Sequence, residues 1–281
     1  MEADPTTPEQ VLTCLARSGY LLESQLVTSL VEEGYFVEPN QVIKDPRTGK
    51  SREIDLVAEH YSKRIGPSDR VCVKTHFVAE IINNRYPVVL MTERPMSPNE
   101  DFENWVKYAV TPIDNSFETS FNIYDDRTPP RAYLFSQYCG LTKKNRNDEL
   151  MASHPDDMYS SLLKLAEFTE SERNSFVSMA SELSDSTWRI FFWHPMLVLG
   201  GQLMMTTKDE SGNPIVVEIE TAALEFNWHE GETRRSTLIE FITAAAFQSR
   251  LDQIILADAE WETRLAAMRR EAFAADPMEY K

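Results

Sequence analysis

The chain has 281 residues, 42% hydrophobic and 26% charged, which is long and apolar enough to bury a sizeable core and is not a disordered composition. Its net charge of -17 excludes a protein drawn to nucleic acid by its overall field, so any phosphate contact has to use a local basic patch; protein partners and small ligands meet no such objection. Three cysteines without C-x-x-C spacing read as reduced thiols packed in a cytoplasmic fold, and the acidic N-terminus "MEADPTTPEQ" lacks the pattern of a secretory signal.

In chain order, Thr7-Pro8-Glu9-Gln10 predicts a capped helix start, Gly19 breaks the segment, and Leu22, Leu26, Val27 and Leu30 give an apolar helical stripe that ends at Gly34. "YFVEPNQVIKD", "SREIDLVAEH", "VCVKTHFVAEII" and "YPVVLM" follow as strands, with residues 61–70 as a polar linker. Residues 99–110 fit a helix that would bury Phe102, Trp105, Val106 and Ala109, and residues 95–185 as a whole predict a mostly helical elaboration. "RAYLFSQYCG" within it has the content of a further strand. The apolar run "WRIFFWHPMLVLGGQLMMTT" is interrupted by Arg189, His194, Pro195 and the Gly200-Gly201 pair, so two strands joined in a hairpin are expected there and not a membrane span. "PIVVEIETA", "ALEFNWHE" and the start of "RRSTLIEFITAAAF" add strands, and a closing helix over about 244–273 presents Phe247, Leu251, Ile254, Ile255, Trp261 and Leu265. Residues 1–94 and 186–281 thus form two parts of one α/β domain, helices over a mixed sheet, with 95–185 inserted between them.

Strand alternation places Glu53, Asp55 and Val57 on one face and Ile54 and Leu56 on the other, and in the next strand groups Lys74, His76, Val78, Glu80 and Ile82. Asp55 and Glu80, one from each neighbouring strand, are oxygen ligands of the kind that suit a hard divalent ion. Glu23 in "GYLLESQLV", Asp55 in "REIDLVAE", and Glu80 in "VAEIINNRYPVV" with Pro87 seven residues on resemble the restriction-endonuclease-like, or PD-(D/E)xK, nuclease superfamily. The likeness covers residues 19–94 and, more loosely, 186–267. It implies a three-layer sandwich with a mixed central sheet and a helical insertion, a Mg2+ or Mn2+ ion on Asp55, Glu80 and Glu23, and hydrolysis of DNA or RNA phosphodiesters.

The superfamily's lysine position, two residues after the acid, is Ile82. Isoleucine has no charge or donor with which to orient water or stabilise a phosphoryl group. Lys74 is on the same face but about 20 Å away along an ideal strand; Asn84 or Arg85, brought in by a bulge, are the candidate replacements. Two functional readings follow. One is a metal-dependent nuclease with Glu23, Asp55, Glu80, Asn84 and Arg85 as its working residues. The other is a catalytically inactive nuclease-fold module that binds protein or nucleic acid through its acidic surface or its insertion.

Overall fold

The computed structural model describes residues 6–44, 49–66, 68–94, 107–111, 134–143, 149–180 and 187–275. The elements in order are α1 (Pro8–Ser18), α2 (Tyr20–Glu32), β1 (Phe36–Lys44), β2 (Ser51–Arg64), β3 (Val71–Ile82), β4 (Val88–Arg94), β5 (Lys107–Thr111), β6 (Leu134–Lys143) and β7 (Leu150–Ser153). They continue with α3 (Asp156–Ala180), β8 (Trp188–Leu199), β9 (Leu203–Lys208), β10 (Pro214–Ile219), β11 (Thr221–Glu230), β12 (Thr233–Thr243) and α4 (Phe247–Ala275).

All twelve described strands belong to one mixed sheet in the order β1-β2-β3-β8-β12-β11-β6-β4-β9-β10, with β5 added on β8 and β7 on β6. The pairs β3–β8, β8–β12, β6–β11 and β4–β9 are parallel and the rest antiparallel. Helices flank this sheet. Leu162, Leu165, Ala166 and Phe176 of α3 share one core with Val57, Val78, Leu197 and Phe241. Phe247, Leu251 and Ile254 of α4, with Leu22, Leu26 and Leu30 of α2, share another with Leu56, Phe77, Ala79 and Ile81. Because β3 feeds both cores with alternate residues, it is buried on both faces, most completely over Phe77–Ile81.

The chain starts as its sequence predicts. Thr7 caps α1 through a reciprocal capping box with Gln10, and Gly19, at φ 93, ends α1 and opens α2. The described residues of 95–185 supply three strands as well as α3. Three expectations are corrected. The polar linker expected over 61–70 starts later, because β2 runs on to Arg64 in its pairing with β3. Lys107–Thr111 is a strand, and the part of the expected helix with Phe102, Trp105 and Val106 lies outside the described residues. β8 and β9 do not form a hairpin. The Gly200-Gly201 link carries the chain from β8, which pairs β3, β5 and β12, to β9, which pairs β4 and β10.

The reason for the last correction lies in the link itself. A Cβ on Gly201 would sit 2.2 Å from the Asn84 carbonyl oxygen, and one on Gly200 would sit 2.8 Å from Asn84's neighbour Asn83 at Oδ1. The glycines are there for close approach to the β3–β4 connection and not for a two-residue turn. The three cysteines are free, with Cys14 exposed and not packed as expected. Among the described residues no helix is long and apolar enough to cross a membrane.

Candidate acid and lysine site

β2 carries an irregularity where the site is built. In a regular strand Ile54 and Leu56 would share a face, yet Ile54 and Val57 join the α3-side core while Leu56 and Ala58 join the α4-side core. In β1 the register runs Pro39 to Leu56 and Gln41 to Ile54, which leaves Asn40, at φ 52, across from Asp55. This local break turns Asp55 out of simple alternation. The regular β2–β3 pairing ends at Leu56 and Ala79, and the Asp55 carboxylate takes over: its Oδ2 accepts the Ile81 N–H at 2.8 Å. Asp55 therefore stands beside Glu80.

Glu80 is 2% exposed. Its counter-ion comes from the inserted segment: Lys164 of α3 places Nζ 2.5 Å from Glu80 Oε2 and donates to the Glu53 carbonyl oxygen at 2.9 Å. The Ser161 hydroxyl, one turn earlier on α3, also lies against the Glu80 carboxylate. Glu80 Oε1 is buried without a hydrogen-bond partner. Such an atom carries a desolvation cost and is a vacant acceptor.

The electrostatics follow from this packing. Burial pushes the Glu80 carboxyl up to about 7, the Asp55 charge adds to the rise, and Lys164 and Ser161 oppose it. Burial likewise raises Asp55, against the Ile81 N–H and Lys164. Glu23 of α2 is raised by burial and by Asp55, and lowered by Lys164. Each of the three acids is thus electrostatically linked to Lys164, with Glu23 coming from the α2 side of the sheet and Lys164 from the α3 side.

The position expected to hold lysine is part of the core. Ile82 packs against the α3-side cluster, beneath the helix that delivers Lys164. Both proposed substitutes have contacts elsewhere. Asn84 donates to the carbonyls of Tyr86 and Gln202 and accepts the Gly201 N–H at 2.8 Å, so its side chain ties the β3–β4 connection to the glycine link. Arg85 lies over the Tyr86 ring, 5.7 Å from its centroid. Lys74 is likewise engaged elsewhere, 2.7 Å from Glu59, whose other oxygen is 3.1 Å from His76 Nδ1.

Sequence reasoning missed Lys164, and a signal for it exists. The segment "SLLKLA" places one lysine among Leu162, Leu163, Leu165 and Ala166, all buried, and a charge inside so apolar a run needs a partner. Among the described residues, no three His, Cys, Asp or Glu side chains are grouped so as to hold a metal ion, and Glu23, Asp55 and Glu80 are not such a group. Of the oxygens in this cluster, Glu80 Oε1 is the buried acceptor without a hydrogen-bond partner, while Lys164 meets Oε2. Comparison of the chain with protein-family models, curated proteins and solved structures finds no match.

Proposed function

We propose that the chain is a nuclease of the restriction-endonuclease-like kind, a three-layer sandwich that hydrolyses DNA or RNA phosphodiesters, with its lysine supplied by α3. One observation carries this reading: Lys164 Nζ rests on Glu80 Oε2 beside Asp55, which puts an ammonium group at the acids although the strand position for it is Ile82. A buried ion pair is a poor means of stabilisation, because desolvation of both charges offsets most of the attraction. Its place between two raised-pKa carboxylates favours a chemical role.

In this reading Asp55 and the free Oε1 of Glu80 would hold a Mg2+ or Mn2+ ion, which when bound polarises water and offsets charge developing on the phosphoryl group. Lys164, fixed by Glu80 and the Glu53 carbonyl, presents its remaining N–H to a non-bridging phosphate oxygen or to the attacking water. Glu23, with its carboxyl raised, is on the opposite helix and can take a proton from that water. Asn84 and Arg85 have no part in the step.

The inactive-module reading has the stronger support from the make-up of the acid cluster. No three-ligand metal group is present among the described residues, and the Glu80–Lys164 pair satisfies one oxygen of the acid without any ion. The net charge of -17 also weighs against binding a polyanion. One experiment separates the two: purified protein with Mg2+ or Mn2+ on single-stranded DNA, double-stranded DNA and RNA, beside Glu80→Gln and Lys164→Met. Cleavage by the parent that falls by about 10²-fold or more in both variants supports the nuclease, on the scale expected for loss of one transition-state donor. No cleavage, or equal cleavage by all three, leaves the inactive module.

A further inference from the structure

The sheet ends on two strands that differ in how they meet solvent. β1 is broken by Pro39 and by Asn40 at φ 52, and carries Glu38 and Lys44, all features that discourage pairing with another chain. β10, "PIVVEI", has none of these in its interior apart from Glu218. Among the described residues β9 is its only strand neighbour, Val216 is 57% exposed and Ile215 38%. We propose that β10 pairs with β10 of a second copy, antiparallel about a two-fold axis through Val217, to join two sheets into one. This inference is independent of the nuclease reading.

The register follows from which backbone groups are already used. The β9–β10 turn is closed by the Asp209 N–H on the Asn213 carbonyl at 2.9 Å, and the ladder then pairs Thr207 with Ile215, Met205 with Val217 and Leu203 with Ile219. Hydrogen-bonded and non-bonded pairs alternate in an antiparallel ladder, so Ile215, Val217 and Ile219 direct their N–H and C=O groups to β9. Val216 and Glu218 direct theirs to the open edge, as Pro214 does its carbonyl. Pro214 has no N–H, so matching Val216 to Glu218 of the partner and matching Pro214 to Glu218 of the partner each make four inter-strand bonds, use both donors of each copy and leave one acceptor idle per copy. Backbone bonding therefore admits these two registers, and the side chains decide for the first.

Side chains favour the register that matches Val216 to Glu218. It sets Val217 opposite its own copy and Ile215 opposite Ile219, with Ile215 and Ile219 reciprocally on the other side of the axis. Three apolar pairs then line one face, the face on which Val217 and Ile219 already pack against the α3-side core. On the other face Val216 meets Glu218, so the two glutamates are not opposed. Self-complementarity of this sort is what a two-fold interface requires.

The test uses the full chain in two measurements. Sedimentation equilibrium at 5 to 100 µM, on the order of the range where a short edge pairing associates, is expected to show a monomer–dimer equilibrium in the parent. Val216→Pro removes a donor that does not serve β9, so circular dichroism should be unchanged while the dimer constant weakens at least about tenfold. In a Cys14→Ser background, Val217→Cys should cross-link to a dimer under mild oxidation, because non-hydrogen-bonded antiparallel pairs bring Cα atoms to about 4.5 Å. A parent that is monomeric throughout, a dimer indifferent to Val216→Pro, or a Val217→Cys protein that stays uncross-linked overturns the proposal.

Discussion

Replacing Lys164 by methionine keeps the length of the side chain against α3's apolar neighbours and removes its charge, which isolates what the ammonium does for Glu80. In the folded parent the Glu80 carboxyl titrates near 7, above its ordinary 4.5, so its contribution to stability is full below pH 4.5 and is lost as pH rises through 7. Without Lys164 the same burial and the Asp55 charge are opposed only by the Ser161 hydroxyl, and the folded value moves higher still. At pH 5 Glu80 is protonated in both folded proteins and the substitution costs only packing. At pH 8 the folded parent gains the free energy of ionising Glu80 against Lys164, and the variant does not. With one pKa unit worth about 1.4 kcal/mol, a parent value one unit below the pH gives an extra loss of about 1.4 kcal/mol at pH 8. Urea unfolding of both proteins at pH 5, 6.5 and 8 reads this directly as a growing difference. A difference that is constant across the three pH values would show that Lys164 does not bear on Glu80 and would refute the reasoning.

Glu59 provides the opposite sign. Burial pushes its carboxyl up, but His76 and Lys74 outweigh it and hold the group down to about 2, so stability is present above pH 4.5 and lost as pH falls through 2. Glu59→Gln should cost up to about 3 kcal/mol at pH 7 and little near pH 2, measured by denaturant melts at both. Gly201→Ala, whose Cβ would lie 2.2 Å from the Asn84 carbonyl oxygen, should lower stability by more than about 2 kcal/mol and shift the urea midpoint at unchanged slope. Asp258 of α4 is 2% exposed, accepts from the buried Thr75 hydroxyl and lies 3.5 Å from His194. Asp258→Ala removes the acceptor of the buried Thr75 hydroxyl and should cost about 2–4 kcal/mol by the same melts.

The sequence discloses the parts of this molecule that local chemistry decides. Thr7 and Gln10 cap α1, the alternation of "VCVKTHFVAEII" makes β3, and the stripe from Phe247 to Leu265 makes α4. Asp55 and Glu80 as neighbours follow from two adjacent strands. What depends on distant pairing is not disclosed. β8 reads as half of a hairpin because Gly200-Gly201 resembles a turn, while its actual neighbours, β3, β5 and β12, lie more than forty residues away along the chain. Asn84 reads as a polar side chain beside the acids, whereas backbone groups of the Gly201 link claim it. Lys164 is eighty-four positions from Glu80, and no spacing rule joins them; only the unmatched charge in "SLLKLA" marks it.

Returning the lysine to the strand tests the central claim that Lys164 performs the task Ile82 cannot. Glu80 and Ile82 share a face of β3, so the double variant Ile82→Lys with Lys164→Met carries one ammonium group at the acids, delivered from the other element. The measurement is its rate of metal-dependent cleavage beside Lys164→Met alone, with folding of both checked by circular dichroism. The account predicts that Lys164→Met is about 10²-fold or more slower than the parent and that the double variant regains at least about tenfold of that loss. A folded double variant no faster than Lys164→Met, or a parent that cleaves no substrate, would contradict it.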